Sequence, residues 1–149
     1  MRPSFDDIYM HMALMMAQRS TCSRSQVGCL IVTKDNQKVL AVGYNGGPKG
    51  LFNDCLSNEP GKCGHLHAEV NALIKTNYSD AAPKKAYVTS SPCTACATAL
   101  INGDIREVIY CNLYRDDGGL RLLEQAGVAV RQHVPAWDPP RRVPVEPDR

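Results

Sequence analysis

Residues 86–111 read AYVTSSPCTACATALINGDIREVIYC, and the order strand, helix, strand within them decides the fold. Ala86-Tyr87-Val88-Thr89 is a short run rich in β-favouring residues, which predicts a buried strand. Pro92 presets the backbone angle of a helix start and Asn102-Gly103 are residue types that end one, so a helix is expected over 93–102. A strand at 107–111 comes next, then a helix around 119–126 stopped by Gly127, then a strand at 128–134. Strands alternating with helices imply parallel pairing through right-handed crossovers.

Upstream, Val27-Gly28-Cys29-Leu30-Ile31-Val32 and Val39-Leu40-Ala41-Val42-Gly43-Tyr44 flank the polar Lys34-Asp35-Asn36-Gln37, the pattern of an antiparallel hairpin. Ser4 with Asp7 forms a capping-box start, and Ile8, Met12, Met15 and Met16 recur at helical spacing, which predicts a helix over 4–19. A further helix is expected from His67 to about Thr76, with Val70, Leu73 and Ile74 on one face. Between the hairpin and that helix, residues 45–66 hold five glycines and two prolines, a long loop of the kind that more often serves function than mere connection. The class is α/β in three layers.

The 149 residues suit one domain, expected over 1–134. Residues 135–149 contain five of the ten prolines, a composition too poor in apolar surface to order itself; this tail is expected to be flexible or to dock on another subunit. The net charge is +2 and the basic residues are scattered, unlike the basic run of a phosphate-backbone binder, and aromatics for stacking bases make up only 6%. Nucleic acid is therefore not indicated as a partner. No stretch approaches the roughly 18 apolar residues of a membrane span, and acidic Asp6 and Asp7 do not suit a signal peptide, so a cytoplasmic protein without a membrane partner is expected. Seven cysteines, two of them in Cys93-Thr94-Ala95-Cys96, suit metal binding in a reducing compartment better than a secreted disulfide framework.

Cys93 and Cys96 at a helix start aim two sulfurs at one ion, and the positive helix end favours the thiolate form that zinc takes. Alone, the pair reads equally as a redox couple or plain buried cysteines. His67 adds a third ligand, which leaves the fourth tetrahedral position open for water, as a catalytic zinc site requires and a structural one does not. Glu69, two residues on, suits a carboxylate that carries protons between water, a ring nitrogen and a leaving amine. Taken singly, His67 reads as a helix cap and Glu69 as a solvated helix charge; together with Pro92-Cys93-Thr94-Ala95-Cys96 they form the pattern of zinc-dependent deaminases.

Beyond that core, Cys22-Ser23-Arg24 leading to Val27-Gly28, Gly43-Tyr44-Asn45-Gly46-Gly47-Pro48-Lys49-Gly50, His67-Ala68-Glu69-Val70-Asn71-Ala72-Leu73, Glu107-Val108-Ile109-Tyr110 and the Tyr114 to Gly127 segment resemble the deoxycytidylate (dCMP) deaminase branch of the cytidine and deoxycytidylate deaminase superfamily. The resemblance covers about residues 5–134. It implies a cytidine-deaminase-like three-layer α/β/α fold around a five-stranded mixed sheet, a catalytic Zn2+, and hydrolysis of dCMP to dUMP and ammonia, the dUMP feeding thymidylate synthesis. It also implies a homo-oligomer, hexamer or dimer, with dCTP and dTTP as allosteric effectors. By the same resemblance Asn45 would bond the sugar, while Ser23, Arg24 and Tyr114 would lie near the 5′-phosphate. Three of the four have a plainer reading as well, Arg24 as a surface charge, Asn45 as a turn residue and Tyr114 as packing.

The loop before His67 departs from the branch pattern and is shorter than in many members, which leaves other substrates open: another cytosine or purine nucleotide, nucleoside or base, or a C5-modified dCMP. A catalytically inactive zinc-binding module is the non-enzyme alternative. Some branch members carry a second, structural zinc near this loop, and Cys22, Cys55, Cys63 and His65 would supply its four ligands; reduced cysteines or a redox pair are the competing readings. Cys29 and Cys111 lie in strand patterns and read as small buried apolar residues.

Overall fold

A computed structural model describes residues 2–51, 53–59 and 62–136. In chain order these form α1 (Phe5–Ala17), β1 (Gly28–Thr33), β2 (Val39–Tyr44), α2 (Ala68–Lys75), β3 (Lys84–Ser90), α3 (Thr94–Asn102), β4 (Ile105–Asn112), α4 (Gly118–Gln125) and β5 (Ala129–Gln132). The five strands make one sheet in the order β2-β1-β3-β4-β5. β1 runs antiparallel to both β2 and β3, whereas β3, β4 and β5 are mutually parallel, so the sheet is mixed, as the resemblance implies.

Alternate residues along each central strand serve opposite faces. Cys29, Ile31, Ala86, Val88 and Val108 face the core made with α2, α3 and α4. Leu30, Val32, Tyr87, Ile109 and Cys111 face the core made with Tyr9, Met10 and Ala13 of α1. Burial on both faces explains why β1 is apolar throughout. One helix on one side and three on the other give the three layers.

Local chemistry sets the ends of these elements. The Ser4 hydroxyl accepts from the Asp7 amide at 3.1 Å and caps α1. α1 stops at Ala17 rather than 19, and the Gln18, Arg19 and Ser20 amides turn back to the carbonyls of Met15, Met16 and Ala17 in the tighter hydrogen bonds that end many helices. β3 starts two residues before its apolar run because Lys84 and Lys85 are buried: Lys84 Nζ donates to the carbonyls of Asp80 and Ala82, and Lys85 Nζ lies 5.3 Å from the Tyr87 ring centre. β5 ends at Gln132.

The two ends of the described domain are tied together across α1. Arg131 grips Asp6 through two hydrogen bonds of 2.7 and 2.9 Å and Glu107 through a third of 3.0 Å. The Tyr87 hydroxyl donates to the same Asp6 carboxylate. Asp7 accepts from His133 Nε2 at 2.8 Å and from the Ala136 amide at 3.2 Å. Of the expected tail, Pro135 and Ala136 are thus beside α1, and 137–149 lie outside the described residues. No helix among the described residues is long and apolar enough to cross a membrane.

Candidate active site

The first turns of α2 and α3 meet at one place. Gly43 in β2 lets α2 approach closely: a Cβ there would stand 2.4 Å from the Ala68 carbonyl oxygen. Gly119 does the same for α4 against residues 92–93, where a Cβ would stand 2.0 Å from the Pro92 oxygen. These contacts fix the two helix starts that carry the sequence motif.

His67 is the N-cap residue of α2, yet its ring makes no capping bond. Nδ1 instead lies 3.2 Å from Cys96 Sγ and 3.6 Å from Cys93 Sγ, and the three donor atoms all fall within 4.8 Å of one another. Two ligands on a tetrahedral zinc with bonds of ~2.0–2.3 Å stand about 3.5–3.8 Å apart, so these spacings fit the ion with adjustments of a few tenths of an ångström. Cys93 is the N-cap of α3, and its sulfur accepts from the Cys96 amide. Bonds from the Cys96 thiol and His67 push the Cys93 pKa down to about 3. Sharing with Cys93, together with burial, drives Cys96 the other way. The Cys93 thiolate in turn raises His67. Without metal the triad therefore holds one thiolate and one thiol.

Glu69 sits in the first turn of α2 and is only 4% exposed. Burial pushes its carboxyl pKa up, opposed by its own backbone amide and His67. A buried acid with no basic side chain bonded to it is not the solvated helix charge of the plainer reading. It faces a cleft of about 770 Å³, within the range of small-molecule sites.

Arg24, Asn45 and Tyr114 line the same cleft as His67, Glu69 and Cys93. Asn45 is 8% exposed; its Oδ1 accepts from the Val27 amide at 2.8 Å and its Nδ2 donates to the Ser25 carbonyl at 2.7 Å. The amide thus pins residues 25–27 and retains one N–H. Ser23 is not among the lining residues; its hydroxyl donates to Cys55 Sγ at 3.6 Å. Arg115, Asp116 and Ser91 line the cleft without having stood out in the sequence. Ser91 Oγ accepts from the Tyr114 amide at 2.6 Å, and the Arg115 guanidinium lies 5.7 Å from the Tyr114 ring centre. The available signal was position: these residues follow the carboxyl ends of parallel β3 and β4, where α/β sheets place their ligands.

Cys22, Cys63 and His65 form a second group with donor atoms within 4.8 Å of one another, at the same cleft. Cys55 Sγ stands 3.8 Å from Cys22 Sγ. His65 Nε2 lies 3.3 Å from the Asp54 carbonyl oxygen, and its buried Nδ1 has no partner among the described residues. Cys29 and Cys111 are buried in the two cores.

A family model described as the cytidine and deoxycytidylate deaminase zinc-binding region matches residues 3–112. The chain belongs to this family. Zinc is the metal of the family's matched region, and the His67, Cys93 and Cys96 donors suit it. Among relatives, the chain is 36% identical to the human deoxycytidylate deaminase, matching over 87% of this chain and 79% of the human one. It is 35% identical to the Saccharomyces cerevisiae deoxycytidylate deaminase over 89% of this chain, but spans only 46% of that protein's length. The crystal structure of dCMP deaminase from the cyanophage S-TIM5 in complex with dCMP and dUMP superposes with a TM-score of 0.76 at 34% identity, covering 89% of this chain and 99% of that one. The family's three-layer fold with a five-stranded mixed sheet is the fold described above.

Proposed function

We propose that this chain hydrolyses dCMP to dUMP and ammonia in a cytoplasmic, reducing setting, supplying dUMP for thymidylate synthesis. The observation that carries the proposal is the buried Glu69 beside the His67, Cys93 and Cys96 donors, at a cleft that also holds two arginines. The names of the relatives and the ligands of the cyanophage enzyme support the substrate.

Zinc held by His67, Cys93 and Cys96 would supply Lewis acidity that makes water a nucleophile at neutral pH. Glu69, shielded from solvent, carries the water's two protons in turn, the first to the ring nitrogen, where it stays, and the second to the amine, which departs as ammonia. The spare N–H of Asn45 bonds the sugar. Arg24 and Arg115 offer planar donors to the phosphate, with the Tyr114 ring beside them. Ser23 acts at one remove: next to Arg24 in the chain, it anchors that segment through its bond to Cys55 in the loop before His67.

The proposal extends to a second zinc on Cys22, Cys63 and His65, with Cys55 as fourth donor. A carbonyl on Nε2 leaves Nδ1 of His65 as the ligand nitrogen, and that buried nitrogen has no other partner among the described residues. A homo-oligomer, dimer or hexamer, responding to dCTP and dTTP completes the reading; resemblance to the dCMP deaminase branch supports it.

The test is ammonia release from dCMP, CMP, dCTP, deoxycytidine, C5-methyl-dCMP and guanine, run on the parent and on Arg24→Ala. dCMP is expected to lead on the parent. Arg24→Ala is expected to raise KM for dCMP about tenfold or more while leaving deoxycytidine turnover unchanged. Equal loss on both substrates would remove Arg24 from phosphate recognition, and no ammonia from any would leave a zinc-binding module.

A further inference from the structure

Three cysteines outside the His67 triad are partly exposed, namely Cys22, Cys55 and Cys63. They come from residues 20–25 and from residues 53–59 and 62–66, which meet beside the cleft. The Thr21 hydroxyl donates to the Asn53 carbonyl at 3.0 Å and holds the loops together. Across that seam Cys55 Sγ lies 3.8 Å from Cys22 Sγ. A disulfide needs about 2.0 Å between sulfurs, so a closure of about 1.8 Å joins them. The Cys22–Cys63–His65 group requires the same Cys22 sulfur. One sulfur thus serves two mutually exclusive bonds.

We propose that Cys22 and Cys55 form a reversible disulfide with a small-molecule disulfide as oxidant, and that the bridge expels metal from the Cys22–Cys63–His65 cluster. The Cys55 thiolate attacks the oxidant RSSR, forming a mixed disulfide and releasing one thiolate. The Cys22 thiolate then attacks the Cys55 sulfur and releases the second. Two electrons pass from the two cysteine thiolates to RSSR, one disulfide is consumed and one formed, and the two released thiolates take their protons from solvent. Only Cys63 and His65 then remain as donors, too few for a tetrahedral zinc site. Cys22 lies two residues before Arg24 and both line the cleft, so the bridge also shifts the loop that binds substrate. The His67, Cys93 and Cys96 donors sit on other elements and keep their metal.

The test treats the zinc-loaded full chain with oxidised glutathione and reads three quantities. Non-reducing peptide mapping is expected to find Cys22 linked to Cys55. Atomic emission is expected to show zinc falling from two to one per chain. KM for dCMP is expected to rise at least threefold, reversed by dithiothreitol with added zinc. Only the KM readout rests on the proposed substrate; the map and the zinc count do not. Cys55→Ser, which loses a donor and is compared only with itself before oxidant, is expected to show no oxidant-dependent change in zinc count or KM. A Cys22–Cys63 bridge, glutathione adducts without a bridge, or a Cys22–Cys55 bridge that leaves the zinc count unchanged overturns the proposal.

Discussion

Replacing Gly43 by alanine is expected to damage catalysis without touching a catalytic residue. An added Cβ would stand 2.4 Å from the Ala68 carbonyl oxygen and 2.6 Å from the Ala72 amide nitrogen. Ordinary contact begins at 3.4 Å, so the first turn of α2 must move about 1.0 Å away from β2. That turn carries Glu69 and follows directly on His67. A misplacement of about 1 Å costs roughly 100-fold in rate, or about 2.7 kcal/mol. Forcing backbone apart in a packed core costs a further ~1–3 kcal/mol of stability. For a chain of this size that lowers Tm by roughly 4–12 °C. Gly46→Ala is the control, since its Cβ would meet only the Tyr44 ring at 3.9 Å. Ammonia release from dCMP, calorimetric Tm and zinc content are measured on both variants. Gly43→Ala with kcat/KM within threefold of the parent and an unchanged Tm would refute the claim that this contact seats the site.

Three further outcomes are expected. Glu69→Gln keeps its zinc and its Tm but loses about 10²–10⁴ in kcat, the contribution of a positioned proton carrier; near-normal turnover would end the shuttle role. Asp6→Asn loses stability chiefly above acid pH: the Arg131 bonds hold the Asp6 pKa at about 2 against an ordinary 3.8, so its contribution is full above about 4 and fades as pH falls toward 2. The unscreened shift is worth about 2.4 kcal/mol, and the partial exposure of Arg131 and Asp6 reduces that to about 1 kcal/mol; urea melts should show a parent-to-variant gap at pH 7 that narrows at pH 3. Zinc binding to the triad displaces the proton kept by Cys96 and, toward acid pH, that of His67, whose pKa is raised, so affinity rises at least ~tenfold per pH unit and more steeply toward pH 6, checked by chelator competition at pH 6, 7 and 8; a pH-independent affinity would contradict the thiolate–thiol pairing.

The alternation of strand and helix after residue 84 and the hairpin before it were legible because period and turn chemistry are local. The clustering of His67, Cys93 and Cys96 was legible for the same reason, since each stands at a helix start and two of them share one turn. Lys84 and Lys85 were not, because their burial depends on carbonyls at Asp80 and Ala82 and on the Tyr87 ring. Arg115 and Ser91 were missed because the bond from the Tyr114 amide to Ser91 joins the ends of two neighbouring strands 23 residues apart. Ser23 was expected near the phosphate, but its hydroxyl is bonded to Cys55, a contact across 32 residues that no pattern in either segment announces.

The clasp between Asp6 and Arg131 joins residues 125 apart. Entropy makes so distant a closure one of the last contacts to form. During synthesis α1 precedes β5, so Asp6 and Asp7 wait without their basic partners until Arg131 and His133 emerge. A protease able to reach α1 in that interval would therefore discriminate nascent domains that lack β5 from finished ones.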